Sequence, residues 1–172
     1  MKKIVKIIVK LSAVLLLVFL ATGLLVKETS YQVEIQIKKP LAEVFNVFND
    51  PLKWQDWMPE LRSIETIDAK PGIVGSVYKM LLENEGKMIE ATKKVLAYVP
   101  RKKATFYIRI DEMLKIDDCN FSTRDRVTII TKSVVCKSDS YLLQCLLPYF
   151  KRTFISEDQK YLDNFKAYIE KH

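Results

Sequence analysis

From Ser138 to the C-terminus the chain keeps one helical phase, and so long an amphipathic helix obliges the rest of the sequence to supply a surface for it. Leu143, Leu147, Phe150, Phe154, Tyr161, Phe165 and Tyr168 recur at helical spacing and form a single stripe at about 100° per residue. Arg152, Gln159, Lys160, Asp163, Lys166 and Glu170 make the opposite, solvated face. Where the stripe calls for another aromatic it carries Glu157 and Asp158, which predicts either a gap in the packing or a polar contact. Pro148 lacks a backbone donor and clashes with the preceding turn, so the helix should kink or restart there. The segment before it, Tyr141 to Leu147, is apolar nearly all round, as a flap, a lid or a membrane-facing edge would be.

The other end of the chain obeys a different rule. Lys2, Lys3, Lys6 and Lys10 precede an uncharged, greasy run from Leu11 to Val26, closed by Lys27 and Glu28. With Lys10 snorkelling, residues 7–26 can cross a bilayer as a helix. Residues 1–28 therefore read as a membrane anchor or signal segment and residues 29–172 as the domain it carries. Ala21-Thr22-Gly23 offers a signal peptidase small residues, but the apolar run continues through Leu24-Leu25-Val26, which favours an uncleaved anchor. In both cases the four lysines stay in the cytoplasm and the domain is exported. The same lysines explain most of the formal charge of +7, for from residue 29 onward the chain has 23 basic and 20 acidic residues. Those basic residues are dispersed, so a nucleic-acid partner is not indicated.

Between these ends the pattern is mostly strands. Tyr31 to Ile37 alternates with period two, placing Val33, Ile35 and Ile37 on one face. Pro40 opens a helix carrying Leu41, Val44, Phe45 and Phe48, and Asp50-Pro51 caps a second, short one carrying Trp54, Trp57 and Met58. Strands then follow over Leu61–Ile67, Ser76–Leu82, Lys87–Val99, Ala104–Ile110, Leu114–Ser122 and Val127–Cys136, separated by turn residues. This order predicts an α+β domain with an antiparallel sheet curled over one helix.

The run Ile37-Lys38-Lys39-Pro40-Leu41-Ala42-Glu43-Val44-Phe45, with Asp50-Pro51, Trp57, Pro59, Pro71-Gly72-Ile73-Val74-Gly75 and Val99-Pro100, resembles the START-like (SRPBCC) helix-grip superfamily, including its polyketide cyclase/dehydrase and lipid transport group. The resemblance spans roughly residues 31–170 and implies a sheet of about seven strands gripping the C-terminal helix. An apolar cavity would lie between them, closed by the two short helices. Its members bind lipids, sterols, polyketides or hormones, and a minority are enzymes. The N-terminal anchor and the greasy segment before the grip helix depart from the family pattern.

Chemistry is sparse by comparison. The one histidine is His172 at the terminus, which excludes histidine-based triads and zinc sites, and no glycine loop suited to phosphate occurs, so neither metal nor cofactor is expected. Three cysteines without paired spacing read as buried apolar residues. If the turn at Thr123–Arg126 pairs its flanking strands directly, Cys119 faces roughly residue 130, too far from Cys136 for a disulfide. Arg109 shares a strand face with Thr105 and Tyr107, while Phe106, Ile108 and Ile110 occupy the other. If the first face lines the cavity, Tyr107 and Arg109 anchor a ligand's oxygen or carboxylate; if not, Arg109 is exposed.

The reading that follows is a membrane-anchored, extracytoplasmic domain that binds a hydrophobic small molecule, lipid or isoprenoid-like, without catalysing a reaction. Trp54, Trp57, Met58, Tyr107, Arg109, Leu143, Leu147, Phe150 and Phe154 are its expected ligand contacts, with Leu142, Leu146 and Leu147 as a lid hinged at Pro148. One rival is a cyclase or dehydratase using Tyr107, Arg109 or a nearby carboxylate, which an acid of raised pKa in the cavity would favour. The other is a protein-interaction module contacting its partner through Leu142–Leu147, which a closed cavity would favour.

Overall fold

The structure, a computed structural model, describes residues 2–171. Helix α1 (Lys2–Leu25) leads into strand β1 (Thr29–Ile37). Helix α2 (Leu41–Asn49), a short 3-10 turn (Pro51–Lys53) and helix α3 (Trp54–Trp57) follow. Six strands come next: β2 (Leu61–Asp68), β3 (Val77–Asn84), β4 (Lys87–Val99), β5 (Lys103–Ile110), β6 (Met113–Arg124) and β7 (Val127–Ser138). The chain ends with α4 (Tyr141–Leu146), a 3-10 turn (Leu147–Phe150) and α5 (Lys151–Lys171). All neighbouring strands are antiparallel, in the order β1-β7-β6-β5-β4-β3-β2.

Local chemistry accounts for most of these boundaries. In β1 every second residue is buried, because Val33, Ile35 and Ile37 face the helix side of the sheet while Gln32, Glu34 and Gln36 face water. The Asp50 carboxylate accepts the Leu52 N–H at 3.0 Å, so Asp50 caps the turn that Pro51 begins. The β6–β7 turn centres on Asp125 and Arg126, both at positive φ, one step later than the sequence turn at 123–126. Cys119 therefore lies opposite Lys132, rather than residue 130, and Cys136 opposite Lys115. All three cysteines are buried free thiols. A register shift between Val95 and Ala97 bulges the long strand β4 and bends the sheet around its contents.

The core lies between the sheet and α5. Leu162, Phe165 and Ile169 are buried there, so the buried line of α5 is turned slightly from the expected stripe, and Tyr161 and Tyr168 flank it half-buried. Phe165 meets Phe48 and Trp57 at ring-centroid distances of 5.1 and 5.0 Å, and Phe48 meets Phe121 at 5.4 Å. These aromatics tie α2 and α3 to α5 and close one end of the space under the sheet. At Pro148 the helix does restart, α4 passing through a 3-10 turn into α5.

The opposite end of the sheet is where α1 enters. β1 starts there at Thr29, the β3–β4 and β5–β6 hairpins turn there, and β7 ends there into α4. Helix α1 packs on α4: Gly23 sits against Cys145, where an added Cβ would come within 2.5 Å of the sulfur, so no larger residue fits without a shift. Gln144 Nε2 donates to the Val26 carbonyl at 2.9 Å, and Phe19 stacks on Tyr149 at 6.4 Å. Among the described residues α1 is the one helix long and apolar enough to cross a membrane.

Candidate functional site

Between the sheet and α5 lies a cavity of about 320 Å³. Its apolar walls come from alternate residues of neighbouring strands, Met80 and Leu82 on β3, Ile89 on β4, Ile108 and Ile110 on β5 and Met113 on β6. Exposed lining residues mark the mouth: Asn84 at the β3–β4 turn, with Glu157 and Lys160 on the first turns of α5. These residues put the opening toward the end of the sheet that α1 enters.

The buried lining is charged. Asp158, 2% exposed, occupies the place on α5 where the stripe lacked an aromatic, and the predicted polar contact is a cluster. Its carboxylate accepts from Lys115 Nζ at 2.7 Å, from Lys132 Nζ at 2.8 Å and from the Tyr31 hydroxyl at 2.6 Å. Lys132 also reaches Asp117 at 2.8 Å, and Lys115 lies 3.6 Å from Asp117. Burial alone would raise the Asp158 pKa, but the ammonium groups of Lys132 and Lys115 outweigh it and hold the carboxyl well below its usual range. Burial would lower Lys132 likewise, yet Asp117 and Asp158 outweigh it and keep that amine charged well above the ordinary lysine value. Burial, with the Asp158 carboxylate beside it, raises Tyr31, which stays a hydroxyl donor. Burial also pushes the cavity thiols Cys119 and Cys136 up to about 12 and about 11, so they are inert at neutral pH.

Lys93 is different. It is 6% exposed and lines the same cavity, yet among the described residues its ammonium has no ion pair or hydrogen bond. It lies 3.7 Å from the ring centre of Trp54 and 3.9 Å from that of Phe106. Burial lowers its pKa to about 7, and the more distant carboxylate of Asp117 only partly offsets this.

The family described as polyketide cyclase / dehydrase and lipid transport matches residues 28–132. The chain belongs to that family. Similar solved structures share its architecture at low identity. The crystal structure of Ara h 8.0201 superposes with a TM-score of 0.71 at 16% identity, covering 84% of this chain and 99% of the other. A protein of Thermus thermophilus gives 0.68 at 11%, covering 82% and 97%. The di-domain ARO/CYC protein StfQ of the steffimycin biosynthetic pathway gives 0.71 at 12%, covering 84% of this chain and 51% of that protein. A search of curated proteins found no match.

Within this family's fold the expected contact residues divide. Trp57, Met58 and Phe154 line the cavity. Trp54 and Leu147 are fully buried behind it, Trp54 donating its indole N–H to the Phe48 carbonyl at 2.9 Å, and Leu143 packs half-buried against the core. Phe150 is 48% exposed and stands outside. Tyr107 and Arg109 are on the outer face of β5. Ile108 pairs with Lys93, and Phe106 with Val95, so the inward residues of β4 bring Phe106, Ile108 and Ile110 inward and turn Arg109 out to Asp139, 2.6 Å away. The expected lid is also corrected: α4 is clamped to α1 through Gly23 and Gln144, Leu147 is core, and only Leu142 and Leu146 remain exposed.

Sequence reasoning passed over Lys93, Lys115, Asp117 and Lys132. A signal was present on β4, where Lys93 falls in period two between Ala91 and Val95, a charge at an apolar position. Among the described residues no group of three or more potential metal ligands forms a metal site.

Proposed function

We propose that this chain is a membrane-anchored, extracytoplasmic carrier whose cavity takes up a hydrophobic small molecule, lipid or isoprenoid-like, without transforming it. The observation that carries this reading is the apolar-walled cavity of about 320 Å³, open toward the end of the sheet at which α1 joins the domain. With α1 across a bilayer and Lys2, Lys3, Lys6 and Lys10 on its cytoplasmic side, the mouth would face the outer leaflet. A greasy ligand could then enter without crossing water. Leu142, Leu146, Tyr149 and Phe150 are exposed next to α1, as side chains resting on a bilayer surface would be. The enzyme alternative loses support, because Tyr107 and Arg109 point away and the cavity carboxyl of Asp158 is held low rather than raised.

The test is binding of a fluorescent acyl-chain probe to the full chain in nanodiscs, beside an Ile108→Trp variant that fills the cavity. Saturable binding lost in the variant is expected. Wild-type protein that binds no apolar probe overturns the carrier reading. A reporter fused to the C-terminus and active only in the cytoplasm overturns the topology.

A further inference from the structure

We infer that the ligand is an amphiphile with a monoanionic, carboxylate-type head, taken head-first so that the head meets the ammonium of Lys93 while the chain lies along Leu82, Ile89, Ile108 and Met113. This rests on the carrier reading and names the class of molecule that such a carrier would take.

Charge balance argues for it. Lys115 and Lys132 are matched by Asp117 and Asp158, two cations and two anions held within 2.7 to 3.6 Å of one another. That set is closed. Among the inner charges of the cavity Lys93 adds one cation with no ion-pair partner among the described residues; Asp117, Lys115 and Lys132 face it from farther off, and Glu60, Glu83, Glu157 and Lys160 belong to the rest of the lining. The rings of Trp54 and Phe106 steady an ammonium through their faces but bring no charge. A buried ammonium without a counter-ion is costly, and a ligand carboxylate would remove that cost by forming a charge-assisted hydrogen bond where water is excluded. A neutral head would leave the cation uncompensated, a cationic head would add repulsion, and a dianion would overshoot.

The groups facing Lys93 set its response to pH. They are Asp117, Cys119 and Lys115 on β6 and Lys132 on β7, with Trp54 of α3 and Phe106 of β5 as ring contacts. Burial is the largest influence and favours the neutral amine, with the empty-site pKa at about 7. An anion brought against the amine favours its protonated form. Binding of a carboxylate at pH 8 should therefore draw a proton from solution, whereas binding of the matching alcohol should not.

The experiment compares dodecanoate, dodecanol and dodecylamine on the full chain in nanodiscs, with empty nanodiscs subtracted, for wild type and Lys93→Met. Wild type is expected to prefer dodecanoate over dodecanol by roughly ten- to hundredfold. Lys93→Met should lose that preference while keeping dodecanol binding, which also shows that the variant is folded. Calorimetry in buffers of different ionisation enthalpy should find proton uptake at pH 8 for dodecanoate with wild type alone. Equal wild-type affinity for acid and alcohol, or a preference that survives Lys93→Met, overturns this inference and leaves the carrier reading standing. Wild type binding none of the three probes overturns both.

Discussion

Lys132 and Lys93 are buried lysines in the wall of one cavity, and their protons behave oppositely. Lys132 meets two carboxylates at 2.8 Å, and its pKa goes up. Lys93 meets two aromatic rings, and its pKa goes down to about 7. Burial disfavours the charge in both cases, so the difference lies in the partner, and ring faces cannot replace an anion. A cluster that closes its own charges holds the fold together. A charge left open works against the fold and is available to a ligand.

The largest effect should come from opening the closed cluster. Asp158→Ala leaves Lys115 and Lys132 with Asp117 as the one carboxylate of the cluster, and urea denaturation should show a loss of about 3–5 kcal/mol. A loss below about 1 kcal/mol would mean that water already screens the cluster and that the contrast with Lys93 is false. Removing the open charge should do the reverse. At pH 6, Lys93→Met should gain stability on the order of 2 kcal/mol, since it relieves a desolvated ammonium; a destabilised variant would show that the rings compensate the charge.

Titration sharpens the same point. Lys93 has a folded pKa of about 7, below that of the unfolded chain near 10.4, so the unfolded state holds the extra proton between those values. Wild-type stability should accordingly rise relative to Lys93→Met from pH 7 to 10, by at most about 1.4 kcal/mol per unit. A flat difference would contradict it. Asp158, with its pKa depressed, contributes stability that is present at neutral pH and is lost as the pH falls through its folded pKa. The smallest effect belongs to the exposed cation. Arg109→Ala should change stability by about 0–1 kcal/mol and leave acyl-probe binding unchanged, because its ion pair with Asp139 is at the surface.

Element order and most element boundaries were legible along the chain before any packing was known. Period two in β1, Asp50-Pro51 as a cap, Pro148 as a break and the turns between strands all act within a few residues, so each could be read locally. The sequence also marked Asp158 as a polar interruption of the α5 stripe. Tertiary structure decided which face of each strand looks inward. On β5 both faces are half apolar, and only its register with β4, Ile108 against Lys93, sends Tyr107 and Arg109 outward. The cluster depends on that as well: Tyr31, Lys115, Asp117, Lys132 and Asp158 come from β1, β6, β7 and α5, and no local pattern connects residues that meet only when the sheet closes on the helix. The joint between α1 and α4 was hidden for the same reason, since Gly23 reads as one small residue in a greasy run until Cys145 is packed against it. Spacing along a chain reports on neighbours within a turn or a pleat, whereas charge pairing and close approach across the fold are set by register and packing.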